Sequence, residues 1–518
     1  MGSESLMLTL LTLLPVLGAI VVLVAGKNLA RATAFVFSFA ALALTLVLWF
    51  HFDRGSGALQ FTETHPWLQI TPLNVDYHVG IDGLGLLMLL LSAIVVPIGM
   101  AASSQIQQRV PLYYALVLLF QACLFGTFTA QNFFLFFLFW ELSLVPAFFL
   151  IKLWGGPRAT RAATQFLVYT MVGSVAMLLS FLAIFLTTHT FDFAQLAALA
   201  QNNQLMPLVL GNLAGHRFTP HHLALLLFAG AFLGFAVKVP LFPFHTWLPA
   251  AYCEAPTGTT ILLTGAMSKM GVYGFLRILL PIFYPQMQQV LTPLLWLAVA
   301  TIVFSAYAAL AQKDLKRIFA YSSINHLGYC LLAIFAVVKF TGADAGLTAE
   351  KYAALNGVFL QMFNHGLTAA TLFWFVALLE KRSGSLRGLN DFGGLRKVAP
   401  VFTGLMGIAI FSSLGLPGLN GFIGEFLIFK GTFPLTGWAT SLAVLGLLAT
   451  ALFFLTVLQR VFSGPLNPKW ATFPDLTTGE RLTLIPAIAL MFALGLCPQL
   501  VLGAVNNTVI QMVQHLRF

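Results

Sequence analysis

The sequence predicts an all-α membrane protein of about fourteen transmembrane helices, and three observations carry that expectation. Of the 518 residues, 59% are hydrophobic and only 8% charged, against about 25% charged in an ordinary soluble domain. Apolar runs of about twenty residues, each long enough to cross a hydrocarbon core, recur from one end of the chain to the other. Finally, Lys and Arg are divided unevenly between alternate loops, the pattern that sets membrane orientation.

The helices are expected near 7–25, 29–50, 83–102, 111–130, 132–153, 163–187, 221–241, 258–279, 289–311, 319–339, 354–380, 399–432, 437–462 and 481–503 of a single polytopic domain covering 1–518. The first apolar run lacks a basic flank and a cleavage site, so it reads as a retained helix rather than a signal peptide. Two helices are interrupted. The seventh ends in Lys238-Val-Pro-Leu-Phe-Pro243 and is expected to continue as a short piece through His245. The twelfth holds Leu414-Gly-Leu-Pro-Gly-Leu-Asn-Gly421 at its middle. Pro removes a backbone donor and Gly loosens the helix, and freed backbone groups at membrane depth are tolerated only where protein or a wet cavity satisfies them. Broken helices at matching places in two halves are the sequence sign of inverted repeats, expected here over 111–280 and 289–462. The connections at 51–82 and 188–220 are weakly polar and suggest no chemistry, with Asp76 and Asp82 expected as turn and cap residues.

With this count, loops after odd-numbered helices hold 17 Lys and Arg and the opposite side holds 7; the remaining two of the 26, Lys238 and Lys269, lie inside helices. Both termini are therefore expected on the non-cytoplasmic side. The net charge of +10 belongs to this topology. There is no basic stripe or nucleic-acid motif, so no nucleic-acid partner is expected. Cys123, Cys253, Cys330 and Cys497 form no CxxC pair, which excludes a metal or iron–sulfur site built on local spacing. Gly-rich phosphate loops and dinucleotide fingerprints are missing too, so no cofactor is expected in this chain.

Four charged residues fall within apolar helices: Glu141, Lys238, Lys269 and Glu425. Each costs about 2.5–3.5 kcal/mol at the bilayer centre by insertion scales, which makes such residues rare and functional. Burial disfavours the charged form of Lys and Glu alike, so either can take up and release a proton. A Glu beside a Lys favours the charged lysine, and opening or closing that pair switches proton affinity. The competing structural reading is a static Glu–Lys pair holding helices together, which is often energetically unrewarding. His245, His326 and His365 lie on or beside apolar segments, and a neutral imidazole that donates and accepts can relay protons between such groups. Glu254, and Asp314 with Lys316 and Arg317, are expected to cap and orient helices.

In these residues the chain resembles the antiporter-like subunit M of respiratory complex I, a family with counterparts in the cyanobacterial and plastid complex and in mitochondria. The resemblance runs nearly end to end through Phe139-Trp-Glu-Leu-Ser-Leu-Val-Pro146, Phe235-Ala-Val-Lys-Val-Pro240, Phe244-His-Thr-Trp-Leu-Pro249, Glu254-Ala-Pro256, Asp314-Leu-Lys-Arg317, Tyr321-Ser-Ser323 with His326, and Gly424-Glu-Phe426. It implies that Glu141 pairs with Lys238, that Lys269 is the central carrier and that Glu425 releases protons outward. It also implies that the chain pumps protons while other subunits oxidise NAD(P)H or ferredoxin and reduce quinone. The implied partners are the other membrane subunits of such an assembly, sister antiporter-like subunits included, together with the lipid bilayer.

The chain departs from the family pattern in places. Ala250-Ala251-Tyr252 stands where Asp-Ala-His is common, Gln165 where a Lys is usual, and Ser268 precedes the central lysine. This divergence would suit a specialised paralogue, such as a subunit of the cyanobacterial complex devoted to carbon dioxide uptake, as against an ordinary bacterial respiratory complex. The rivals are a subunit of an Mrp-type Na⁺/H⁺ antiporter, where Lys is more usual at the position of Glu425, and a structural subunit whose charges are relics. The topology predicts that a reporter fused after Phe518 reads as non-cytoplasmic; a cytoplasmic signal would sink the fourteen-span count.

Overall fold

The computed structural model describes residues 6–70, 73–213, 219–339 and 345–516; Arg217 and Arg517, which enter the loop charges, and Phe518 lie outside them. Fourteen apolar spans run in chain order: α1 Met7–Val24, α2 Gly26–His51, α3 Gly83–Ala102, α4 Val110–Thr129, α5 Phe133–Trp154, α6 Ala159–Thr188, α7 Pro220–Lys238, α8 over 257–282, α9 Leu291–Leu310, α10 Leu315–Ala336, α11 Ala345–Ser383, α12 Pro400–Ser413 continued by Asn420–Leu435, α13 Gly437–Val457 and α14 Thr478–Leu496. Among the described residues, twelve spans are long and apolar enough to cross a membrane as single helices. The other two are α8, interrupted by π-helical turns at Leu263–Met267 and Phe275–Leu279, and α12, cut at its middle.

Burial divides the helices. α3, α10 and α11 are enclosed almost throughout, whereas α2, α6, α13 and α14 present Val36, Leu179, Leu448 and Leu482 outward. A soluble monomer rarely exposes apolar patches on this scale; a hydrocarbon solvent accepts them. The enclosed helices are the ones that carry polar side chains. Close approach there depends on small residues: a Cβ on Gly357 of α11 would lie 2.6 Å from the Ile428 amide nitrogen of α12.

Both expected breaks are present, and each is sealed by protein. After α7 the chain turns through residues 239–246 and resumes as Trp247–Glu254, so His245 sits in the turn rather than on a helical continuation. The Trp247 indole donates to the Val237 carbonyl (2.9 Å) and the Phe242 amide to Thr301 Oγ1 (3.0 Å). In α12, Ser412 Oγ donates to Asn420 Oδ1 (2.5 Å), and Asn364 Nδ2 donates to the Asn420 carbonyl (2.6 Å). Backbone groups freed at membrane depth thus find side-chain partners instead of lipid.

Three features were not legible in the sequence. The connection at 51–82 contains an antiparallel hairpin, β1 Gln60–Ile70 with β2 Leu73–Ile81, with irregular register near Glu63 and Pro66. Asp76 therefore lies in a strand, while Asp82 caps α3 as expected, accepting from the Gly85 amide (3.0 Å). The connection at 188–220 forms the short helices Phe193–Gln201 and Leu205–Leu213. The last span stops at Leu496, and Cys497-Pro498 starts a further helix, α15 (Gln499–His515), which packs against the start of α3 and against α11.

The hairpin has a structural task. Glu63, buried on β1, accepts from the amides of Leu8 (2.7 Å) and Thr9 (3.2 Å) and from the Thr9 hydroxyl. A carboxylate at a helix N-terminus satisfies orphan donors and complements the helix dipole. Glu63→Ala leaves those amides without an acceptor, at about 1–3 kcal/mol for a buried donor. Hydrogen exchange at Leu8 and Thr9 should accelerate while α10 stays protected; unchanged exchange at both amides would refute the cap.

Candidate functional site

The four intramembrane charges and two of the three histidines occupy two stations. At the first, Lys238 ends α7 and is 1% exposed. Its ammonium is 3.3 Å from the Trp140 carbonyl, 3.3 Å from Ser143 Oγ and 4.0 Å above the Trp140 indole. A desolvated cation over an indole gains about 2 kcal/mol or more. The indole is itself fixed by its N–H to Ser174 Oγ (2.9 Å). Glu141 does not close on Lys238: its Oε1 is buried without a hydrogen-bond partner, and the described residues show no ion pair between the two. Helical geometry explains this departure from the expected pair. Successive residues project about 100° apart, so Trp140 and Glu141 cannot both face Lys238 squarely; the Glu141 carboxylate still lies near enough for its charge to act on Lys238.

The second station is continuous. Lys269, on α8, is fully buried. The π-helical turn Leu263–Met267 precedes it, widening the helix where the Thr264 carbonyl receives a side chain; such π-bulges recur at functional sites. Its ammonium donates to that carbonyl (2.5 Å), to Ser268 Oγ (3.3 Å) and to His365 Nδ1 (2.8 Å). An ammonium has three donors, so all are used and none meets a carboxylate. The ring centroid of His365 on α11 lies 5.2 Å from that of His326 on α10. His326 Nδ1 is 3.0 Å from Glu425 Oε1 on the second half of α12, and Gln361 Nε2 lies 3.4 Å from both.

The partners assign the tautomers. His365 accepts at Nδ1 from Lys269, which leaves its Nε2 protonated. His326 donates at Nδ1 to the Glu425 carboxylate, and its Nε2 is buried with no partner. The line from Lys269 to Glu425 is therefore closed at both ends, with one gap between two imidazoles whose polarity agrees. His245 is not part of it. Its ring packs against Phe242 (5.5 Å) and Phe304 (5.2 Å), with Nδ1 unpartnered.

Further groups join the site that charge alone did not single out. Lys316 is 2% exposed, 3.5 Å from Glu380 and 3.0 Å from the Ala255 carbonyl. Asp314, by contrast, caps α10 through the Arg317 amide (3.1 Å), and Glu254 orients the α5–α6 turn through the Arg158 amide (2.9 Å), both as expected. Gln361 had a sequence signal: it lies four residues before His365, on the same helical face.

The comparisons with known proteins agree with the motifs. Residues 130–452 match the family described as "NADH:quinone oxidoreductase/Mrp antiporter, TM". The chain is 34% identical over 467 residues to NADH-quinone oxidoreductase subunit M of Rickettsia bellii, covering 90% of this chain and 88% of that one. It is 36% identical over 511 residues to F(420)H(2) dehydrogenase subunit M of Methanosarcina mazei, covering 96% of each. A chain of respiratory complex I from Thermus thermophilus superposes over 99% of this chain and 100% of its own, with a TM-score of 0.83 and 28% identity. Fold and buried charges together define a multi-pass integral membrane protein of the antiporter-like class. The chain belongs to the NADH:quinone oxidoreductase/Mrp antiporter transmembrane family, the one its motifs resemble.

Replacing Lys269 by Met, of similar reach, removes a buried charge that costs about 2.5–3.5 kcal/mol by insertion scales. The thermal midpoint of the assembled complex should hold or rise. A clear fall would mean that the lysine holds the helices together.

Proposed function

We propose that this chain is the antiporter-like, proton-translocating membrane subunit of a complex I-like oxidoreductase, coupling electron transfer in other subunits to proton movement along its own interior. The observation that carries this reading is the Lys269–His365–His326–Glu425 line, enclosed by protein and oriented for proton hopping. Lys238 and Glu141 form the other station. Lys238 makes no direct hydrogen bond to the Glu141 carboxylate, whose charge nonetheless acts on it; closing the pair would raise its hold on a proton. His245, close to the α7 break, is a relay between stations only if the turn at 239–246 moves.

On this reading the redox centres belong to partner subunits; among the described residues no group of three or more His, Cys, Asp or Glu is placed to hold a metal ion. Two relatives bear names with different electron donors, NADH and F420H2, which fits a subunit whose chemistry is independent of the donor. The setting is a bacterial inner membrane or a cyanobacterial thylakoid membrane, with both termini on the non-cytoplasmic side. The same family includes Mrp antiporters, but the subunit M relatives at 34% and 36% identity and the acid at Glu425 favour the oxidoreductase assembly.

Lys269 gives the sharpest test. Lys269→Ala should abolish proton translocation by the assembled complex in vesicles. Lys269→Arg should abolish it too, because a guanidinium does not release its proton. A lysine that only filled space would be replaced better by Arg than by Ala. Near-normal translocation by either variant would defeat the carrier role.

A further inference from the structure

On the Lys- and Arg-rich side, the starts of α6 and α10 border a pocket of about 350 Å³. Its charged lining is Arg158 and Arg161 of α6, Asp314 and Arg317 of α10, Glu254 and Arg387. Four guanidinium groups thus meet two carboxylates. Both carboxylates are already engaged, Glu254 at 3.4 Å from Arg158 and Asp314 at 2.6 Å from Arg387. Arg161 and Arg317 are left over. Each is exposed, and among the described residues neither side chain makes a hydrogen bond or an ion pair. The pocket also receives the positive end of α6, a helix of 30 residues with no side-chain cap on its first turn.

An open groove of about 740 Å³ continues from the pocket, sharing Arg158, Arg161 and Gln165 with it and ending at Val168 and Tyr169. Below it, Val168, Val172, Val175 and Leu179 form an apolar stripe, with exposures of 52%, 61%, 49% and 61%. Their spacing keeps them on one helical face, and Arg161 and Gln165 extend that face toward the pocket. From Val168 to Leu179 the helix rises about 16 Å at 1.5 Å per residue, half of a hydrocarbon core of about 30 Å. Membrane helices favour small residues where they pack on one another, and this stripe has none. Gly173 faces α7 instead, where a Cβ would lie 3.1 Å from the Leu233 carbonyl oxygen. The stripe suits an acyl chain better than a neighbouring helix.

We propose that this pocket binds the headgroup of an anionic phospholipid, with one acyl chain lying along α6 from Val168 to Leu179. Arg161 and Arg317 hold the phosphodiester oxygens, since a guanidinium presents paired N–H donors to phosphate. Because the two arginines sit on different spans, the bound lipid ties α6 to α10. A zwitterionic lipid would bring its ammonium among the same guanidinium groups, so charge selects phosphatidylglycerol over phosphatidylethanolamine. The site is independent of the proposed proton path, for it uses none of Lys238, Lys269 and Glu425.

The test places the assembled complex in phosphatidylethanolamine vesicles with a trace of phosphatidylglycerol that carries a photoreactive group on one acyl chain. Cross-links mapped by peptide mass spectrometry should fall between Val168 and Leu179, and unlabelled phosphatidylglycerol should compete them away. Arg161→Gln combined with Arg317→Gln should cut this labelling more than tenfold, each basic residue near a lipid surface being worth about fivefold. The cap of α10 uses the Arg317 amide and survives that change; native gels check assembly. Equal labelling by a photoreactive phosphatidylethanolamine, or full labelling of the assembled Gln variant, would mean unselective boundary lipid and overturn the site. Loss of the label on adding inorganic phosphate would replace the lipid by a free anion. Cross-links from α6 to a partner subunit, with none to lipid, would show that protein covers the stripe and would overturn the proposal as well. The competition, phosphate and phosphatidylethanolamine arms use the unaltered chain, so they decide the matter even where the Gln variant fails to assemble.

Discussion

Hydrocarbon offers no hydrogen-bond partner, so each buried charge and each freed backbone group of this chain has to be satisfied from within. That constraint organises the structure. It pushes the polar side chains of α8, α10 and α11 inward, away from the apolar faces of α2, α6 and α13. It also explains why the breaks in α7 and α12 are ringed by Trp247, Thr301, Ser412, Asn420 and Asn364. The same polar atoms that make a broken helix tolerable create wet-compatible ground in which a proton could move.

What was legible followed from physics that acts locally. Span length and apolar content located the membrane helices, and Pro and Gly located both breaks to within a few residues. The hairpin at 60–81 was hidden because its alternation is weak and its stabilising partner, the start of α1, lies more than fifty residues away. The stop at Leu496 was hidden because the apolar character continues past Pro498 into α15. In the site, charged residues announced themselves by being out of place, whereas Ser143, Ser268 and Thr264 are common in membrane helices as back-bonding residues and gave no signal. Lys316 was assigned to a loop because it sits near the end of its helix, yet Glu380 from the end of α11 encloses it.

The Glu141–Lys238 pair marks the limit of reasoning by motif. Two opposite charges on neighbouring helices suggest contact, but Trp140 holds the nearer position, offering both its carbonyl and its ring. The indole can hold a cation without fixing its charge as firmly as a carboxylate would. A carboxylate one step round the helix, unpaired, then remains available to engage or withdraw. On the proposed reading such a pair would act as a switch; in this structure the two side chains share no hydrogen bond although the Glu141 charge acts on Lys238.

Lys269 is constrained more strictly, because the number of donors and acceptors around it has to balance. As an ammonium it uses three donors on the Thr264 carbonyl, Ser268 Oγ and His365 Nδ1. As a neutral amine it keeps two donors and gains a lone pair, so one neighbour must reverse and donate to it. The Thr264 carbonyl cannot. His365 can, by moving its proton from Nε2 to Nδ1, and Ser268 can, by rotating its hydroxyl. A proton leaving through His365 brings about that first reversal, since Nδ1 is then protonated while Nε2 passes its own proton toward His326. A proton arriving through Ser268 brings about the second. If Lys269 carries protons as proposed, discharge through His365 and recharge through Ser268 would use different neighbours of the one amine.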